Sequence, residues 1–196
     1  MRRARRGVWA VALVALAVLV AGCSGGGGTT TARSASSSAV VVPLKACPEQ
    51  SARPARGSRT LPGLTFSCAG GGSLDLRRAP GVPEVVNLWG SWCAPCRDEL
   101  PLMQQLADVA GDRVRVLGVI SKDGLPQAES FAADAKVTFP SAVDGDGRLM
   151  AAEGLNALPV TYFVDAGGGV TFLQVGQVHS IAQLKSLVAA HLGVQL

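Results

Sequence analysis

Apolar and polar positions divide the chain into three regimes. Val8 to Val20 is almost wholly apolar, and Ser24 to Val42 is mostly Gly, Ser, Thr and Ala with a single charge at Arg33. From about residue 43 onward, apolar residues recur in short runs separated by turn residues. Only this third regime has the periodicity of a folded domain, and its roughly 150 residues suit one domain with a sizeable core.

Within that domain the run Glu84-Val85-Val86-Asn87-Leu88-Trp89 follows Pro83 and predicts a buried strand, being short, apolar and β-branched. Leu100, Met103 and Leu106-Ala107 then recur at helical spacing up to Gly111, and Val114 to Ile120 predicts a second buried strand. Ala128 to Ala135 reads as a helix with Phe131, Ala132 and Ala135 on one side. Asp144-Gly145-Asp146-Gly147 is a turn; it resembles the start of a calcium loop, but Arg148 and Leu149 break that pattern. Arg148 to Glu153 fits one or two helical turns. Val160–Asp165 and Val170–Val175 form a hairpin over three glycines, and Ser180 caps a last helix with the stripe Ile181, Leu184, Leu187 and Val188. Before all of these, Leu64–Phe66 and Ser73–Leu76 predict a small hairpin across Gly70–Gly72, while residues 43–63 are rich in Pro, Arg and Ser with no clear period. The order β, α, β, α, β-hairpin, α predicts an α/β fold: a central mixed sheet flanked by helices, with an N-terminal β extension.

Charge changes the picture at the N-terminus. Met1-Arg2-Arg3-Ala4-Arg5-Arg6 is a basic leader to an apolar run too short to span a bilayer comfortably. It ends in Val20-Ala21-Gly22-Cys23, which looks like a lipobox, so residues 1–22 are expected to be a lipoprotein signal peptide and Cys23 the lipidated residue. Two acyl chains there would supply stable anchoring. Residues 23–42 would be a flexible tether and 43–196 the folded domain. Residues 1–22 carry four arginines and no acid, so their removal takes the formal charge from +4 to zero. The basic balance belongs to targeting and does not indicate nucleic acid.

The candidate chemistry lies where the first buried strand gives way to its helix. Cys93 and Cys96 occupy the first turn, where the helix dipole and free N–H groups favour a thiolate. Two intervening residues bring the sulfurs within reach, so Cys93 can attack a disulfide and Cys96 can resolve the mixed disulfide. A zinc site would need two more ligands at similar spacing. A purely structural bridge across so short a loop would stabilise little.

Trp92-Cys93-Ala94-Pro95-Cys96 resembles the active site of the thioredoxin superfamily, and the extension Arg97-Asp98-Glu99-Leu100-Pro101 narrows the likeness to its membrane-anchored TlpA/ResA-like branch. The resemblance covers about residues 61–192. It implies a thioredoxin-like fold and a lipid-anchored thiol–disulfide oxidoreductase on the outer face of the cell membrane, without bound cofactor or metal, and a monomer. Pro159 stands where the superfamily has a cis-proline against the two cysteines, there to turn main-chain groups of Leu158 or Val160 toward a peptide substrate. Trp92 would be a partly exposed substrate contact and Trp89 a core residue. Asn87 departs from classical thioredoxin, where a buried Asp transfers protons; Glu99 stands where the branch carries an active-site acid and would take the Cys96 proton. The competing role for Glu99 is to complement the helix dipole. Arg97 and Asp98 are expected in solvent. Relatives reduce protein disulfides such as those of apocytochrome c, with electrons from a membrane thiol transporter of the CcdA/DsbD type.

Five cysteines leave Cys47 and Cys68 once Cys23 is lipidated and Cys93 pairs with Cys96. In an oxidising compartment a second, structural disulfide is expected; free thiols and an electron relay to Cys93 are the competing arrangements. His179 and His191 show no metal spacing. The alternative function is a thioredoxin-like copper-handling lipoprotein using the two cysteines and a distant His, for which His179 is poorly placed. A peroxidase would need Thr three residues before Cys93, where Gly90 stands.

Overall fold

A computed structural model describes residues 44–196. The expected signal peptide (residues 1–22), the whole expected tether (23–42) and Cys23 lie outside the described residues. The central strand is β3 (Glu84–Trp89), buried along its whole length because it has neighbours on both sides and cores on both faces. It pairs in parallel with β4 (Arg115–Ser121), which pairs in parallel with β5 (Ser141–Asp144). On the other side β3 pairs antiparallel with β6 (Val160–Val164), and β6 with β7 (Val170–Val175). The sheet order is β5-β4-β3-β6-β7, with Leu88 opposite Val160 and Trp89 beside Ile120.

One face buries α1 (Ala94–Ala110), α2 (Leu125–Asp134) and α4 (Ile181–Leu192). Leu100, Met103 and Leu106 of α1, Ala128 and Ala132 of α2 and Leu184 and Val188 of α4 pack with Val85, Trp89, Ile120 and Phe163. Truncating any of the large α1 residues to Ala should cost ~2–5 kcal/mol. The other face carries the hairpin β1 (Thr65–Ser67) and β2 (Ser73–Asp75) with the short α3 (Arg148–Ala152), through Phe66, Leu74, Leu149 and Met150 against Val86, Leu88 and Tyr162. Gly118 on β4 is required by the core. A Cβ there would lie 2.4 Å from Ser141 Oγ and 2.6 Å from the Trp89 indole nitrogen.

β5 has no counterpart in the sequence pattern, which reads only its last residue, Asp144, as the start of a turn. Asp144 is its last residue and is buried. Its carboxylate accepts the N–H groups of Arg148 (2.8 Å) and Leu149 (2.9 Å), the free donors at the start of α3. α2 also begins three residues earlier than its apolar stripe, because Pro126 is tolerated in the first helical turn. The aperiodic segment before β1 is bound by isolated contacts: Lys45 N–H to Thr138 O, bridges from Pro54 to Arg78 and Thr60 to Gly169, and a disulfide between Cys47 and Cys68.

Candidate active site

Cys93 is the N-cap of α1. Its backbone is extended, its Sγ accepts the Cys96 N–H at 3.3 Å, and Pro95 occupies the first turn, where a missing donor is harmless. Cys93 is 4% exposed and Cys96 not at all, and the two are joined by a disulfide. A sulfur at this cap meets the orphan N–H groups and the positive end of the dipole when it is reduced. Trp92, directly before it, is 56% exposed. Trp89 is fully buried in the core near Phe131.

The Leu158–Pro159 bond is cis. Because Val160 pairs with Leu88 near the end of β3, Pro159 lies at the end of the sheet from which the chain enters the Cys93 turn. Its carbonyl accepts the Gly176 N–H at 3.0 Å. Val160 is buried, with Leu88 on one side and Val175 on the other. Of the two residues considered for main-chain contact with a substrate, the open position is therefore Leu158, which is half-buried and precedes the ladder.

Behind the cysteines Glu99 is fully buried. One carboxylate oxygen accepts the Val178 N–H (2.9 Å) from the β7–α4 connection; the other accepts from Asn87 Nδ2 (3.1 Å), which also donates to Thr161 Oγ1 (3.0 Å). Burial pushes the Glu99 pKa from 4.5 up to about 7, against the opposing pull of the Val178 and Asn87 donors. The Asn87 amide oxygen is buried without a partner. Turned over, the amide presents that oxygen to Glu99, so a protonated carboxyl finds an acceptor where the ionised one finds a donor. Complete burial is more than a helix-dipole role needs. Sequence spacing puts Glu99 on the Cys96 side of the helix, and the family resemblance singles out Asn87, but Val178 carries no signal, since its part is played by a main-chain N–H.

The raised pKa fixes the sign of a pH effect. The native state holds a proton at Glu99 between pH 4.5 and about 7 that the unfolded chain releases. The corresponding stability is present below pH 4.5 and lost as pH rises through about 7. The melting temperature of the wild type should therefore fall from pH 5 to 8 more steeply than that of Glu99→Gln, measured by calorimetry. Parallel curves would contradict a shifted carboxyl.

Arg97 is exposed, yet its guanidinium lies 4.5 Å from the centre of the Phe131 ring. Asp98 is exposed. His191 stacks on Phe172 at 3.9 Å between ring centres, and His179 is exposed with its N–H on Gln183. Among the described residues, no group of three or more His, Cys, Asp or Glu is placed to hold a metal, and no helix is long and apolar enough to cross a membrane. Cys68 packs against β5 on the sheet face opposite the core that holds Cys93 and Cys96.

A Cys-x-x-Cys disulfide at a strand-to-helix junction, on a five-stranded mixed sheet with a cis-proline leading β6, defines the thioredoxin-like class of thiol–disulfide oxidoreductases. The Redoxin family model matches residues 55–190, and the chain belongs to that family. The thioredoxin-like protein YneN of Bacillus subtilis is 30% identical over 118 residues, 59% of this chain and 69% of that one. The thiol-disulfide oxidoreductase ResA of Geobacillus thermodenitrificans is 30% identical over 118 residues, covering 60% and 68%. Among solved structures, a secreted Mycobacterium tuberculosis disulfide oxidoreductase homologous to E. coli DsbE superposes with a TM-score of 0.57 at 26% identity, over 65% of this chain and 96% of that one.

Proposed function

We propose that this oxidoreductase is a membrane-tethered reductase of protein disulfides on the outer face of the cytoplasmic membrane, with apocytochrome c cysteines as a substrate class. The observation that carries the chemistry is the Cys93 sulfur at the N-cap of α1, accepting a main-chain N–H. In the reduced protein the Cys93 thiolate attacks one sulfur of a substrate disulfide. A bond forms between Cys93 and that sulfur, and the other substrate sulfur leaves as a thiolate that takes a proton from water. Glu99, one helical turn beyond Cys96, accepts the Cys96 proton. The Cys96 sulfur then attacks Cys93, closing the Cys93–Cys96 disulfide and expelling the second substrate sulfur. Two electrons have passed to the substrate, and a membrane dithiol carrier of the CcdA/DsbD type returns them. Exposed Trp92 and the main chain of Leu158 are the groups that hold the substrate segment in this reading.

The tether reading rests on the Val20-Ala21-Gly22-Cys23 motif and the tract that follows it. Export of the chain is supported by the secreted M. tuberculosis neighbour. One experiment addresses both parts. The full-length Cys96→Ser chain, isolated from membranes, should carry exported proteins in disulfide linkage to Cys93, apocytochrome c peptides among them. Its mature N-terminus should be a diacylated Cys23. Capture of cytosolic proteins alone, or an intact N-terminal leader in the mature chain, would contradict the proposal.

A further inference from the structure

The connection from β4 to α2 grips the active-site turn at two points, and α1 itself adds a third contact. Ser91 N–H donates to Asp123 Oδ2 (2.5 Å), and the Trp92 indole N–H donates to the Lys122 carbonyl (2.9 Å). Arg97, packed over Phe131 of α2, donates to the Ser91 carbonyl (3.3 Å). Both main-chain groups of Ser91 are therefore held. Gly90 makes this fold-back possible, since a Cβ there would sit 2.6 Å from the Trp92 indole nitrogen and 3.2 Å from Ser121 O. Lys122 has φ +53°, in the left-handed region that a non-glycine residue adopts only when its surroundings hold it there. Ser91 and Trp92 belong to neither strand nor helix. They nonetheless set the direction from which Cys93 meets the α1 N-terminus.

We propose that Asp123 is a positioning residue of the redox site, acting through Ser91 and Trp92 to keep the Cys93 sulfur at the helix cap and the indole in place as a substrate platform. The geometry divides the work. The strand-to-helix junction supplies the cap, and the Lys122–Asp123 turn stops the two residues before it from moving away. A sulfur that drifts from the cap loses N–H donors and thiolate stabilisation. A platform that swings free loses orientation toward the bound peptide. The inference rests on Cys93 being the attacking thiol of the proposed reaction.

The test uses the reduced full-length chain with Asp123→Ala and Asp123→Asn, and Trp92→Phe to isolate the Trp92 signal. Acrylamide quenching reports the indole, and iodoacetamide alkylation against pH, mapped to Cys93 by peptide mass, reports the sulfur. In Asp123→Ala, quenching of Trp92 should rise about twofold and the alkylation midpoint should move up by about half a pH unit or more. KM for insulin disulfides, with dithiothreitol as reductant, should rise more than kcat falls. Asp123→Asn keeps an oxygen facing the Ser91 N–H. It should restore wild-type quenching, with a midpoint at or below that of the wild type because a negative charge has gone. Wild-type quenching and titration in Asp123→Ala, or an Asp123→Asn chain that behaves like Asp123→Ala, would overturn the inference. So would loss of the far-ultraviolet circular dichroism of Asp123→Ala, which would assign Asp123 to the fold. If the reaction itself has been misread, Cys93→Ser will retain insulin reduction whatever the Asp123 variants do.

Discussion

Replacing Cys93 by serine is expected to bring insulin reduction, with dithiothreitol as electron donor, down to the uncatalysed rate, a loss of roughly a thousandfold or more. The magnitude follows from the nucleophile. A thiolate at a helix N-cap is populated near neutral pH, whereas a serine hydroxyl there stays protonated and cannot re-form a disulfide. Cys96→Ser should behave differently. It keeps the sulfur that accepts the residue-96 N–H and loses only the fully buried one. The first exchange should proceed at near the wild-type rate and then stall as a mixed disulfide on Cys93. Turnover assays and the mass of the stalled adduct separate the two variants. Stable adducts on Cys96 in Cys93→Ser, with none in Cys96→Ser, would reverse the assignment of the attacking sulfur.

The second large effect concerns stability. Cys47 and Cys68 are 21 residues apart and bonded, with Cα atoms at 5.9 Å. Closing a loop of that length lowers the entropy of the unfolded chain by an amount worth ~3 kcal/mol in the chain-entropy model. The segment it closes is otherwise held by scattered bridges and main-chain hydrogen bonds, and Cys68 pairs with Ala142 on edge strand β5. Cys47→Ser/Cys68→Ser should therefore melt about 10 °C below the wild type, given ~2–4 °C per kcal/mol for a domain of this size. Its insulin reduction at 25 °C should remain within about twofold of the wild type, since the bond lies on the face opposite Cys93. Unchanged melting would remove the structural role. A collapse of activity in the folded double variant would revive a relay.

The sequence made the site easier to read than its surroundings. β3 and α1 were legible because a fully buried strand is a continuous apolar run, and the helix after it keeps its stripe through Leu100, Met103 and Leu106. The hairpin β6–β7 and the Ser180 cap were legible for similar local reasons. β5 was not, because it is four residues long and ends in Asp144, which reads as turn chemistry. An Asp four residues ahead of Arg148 could have been read as a helix cap, and that would have pointed to an ordered segment before it. Glu99 showed its position but not its environment. Its burial depends on Asn87 twelve residues earlier and on the Val178 N–H seventy-nine residues later. Asp123 gave no sign at all, since an Asp before Gly is ordinary in a turn, and its partner is a main-chain N–H across the site.

Cys93–Cys96 is expected to be the exchanging pair, with Cys47–Cys68 inert. Equilibration of the full-length chain across a series of dithiothreitol redox buffers, with acid quenching, alkylation and peptide mass mapping, tests it most directly. The predicted result is a single two-electron transition, tenfold in equilibrium constant per ~30 mV, in which Cys93 and Cys96 open together while the Cys47–Cys68 peptide stays linked. A Cys93–Cys96 bond that stays closed throughout, or a Cys47–Cys68 bond that opens in step with it, would overturn this division between the two bonds.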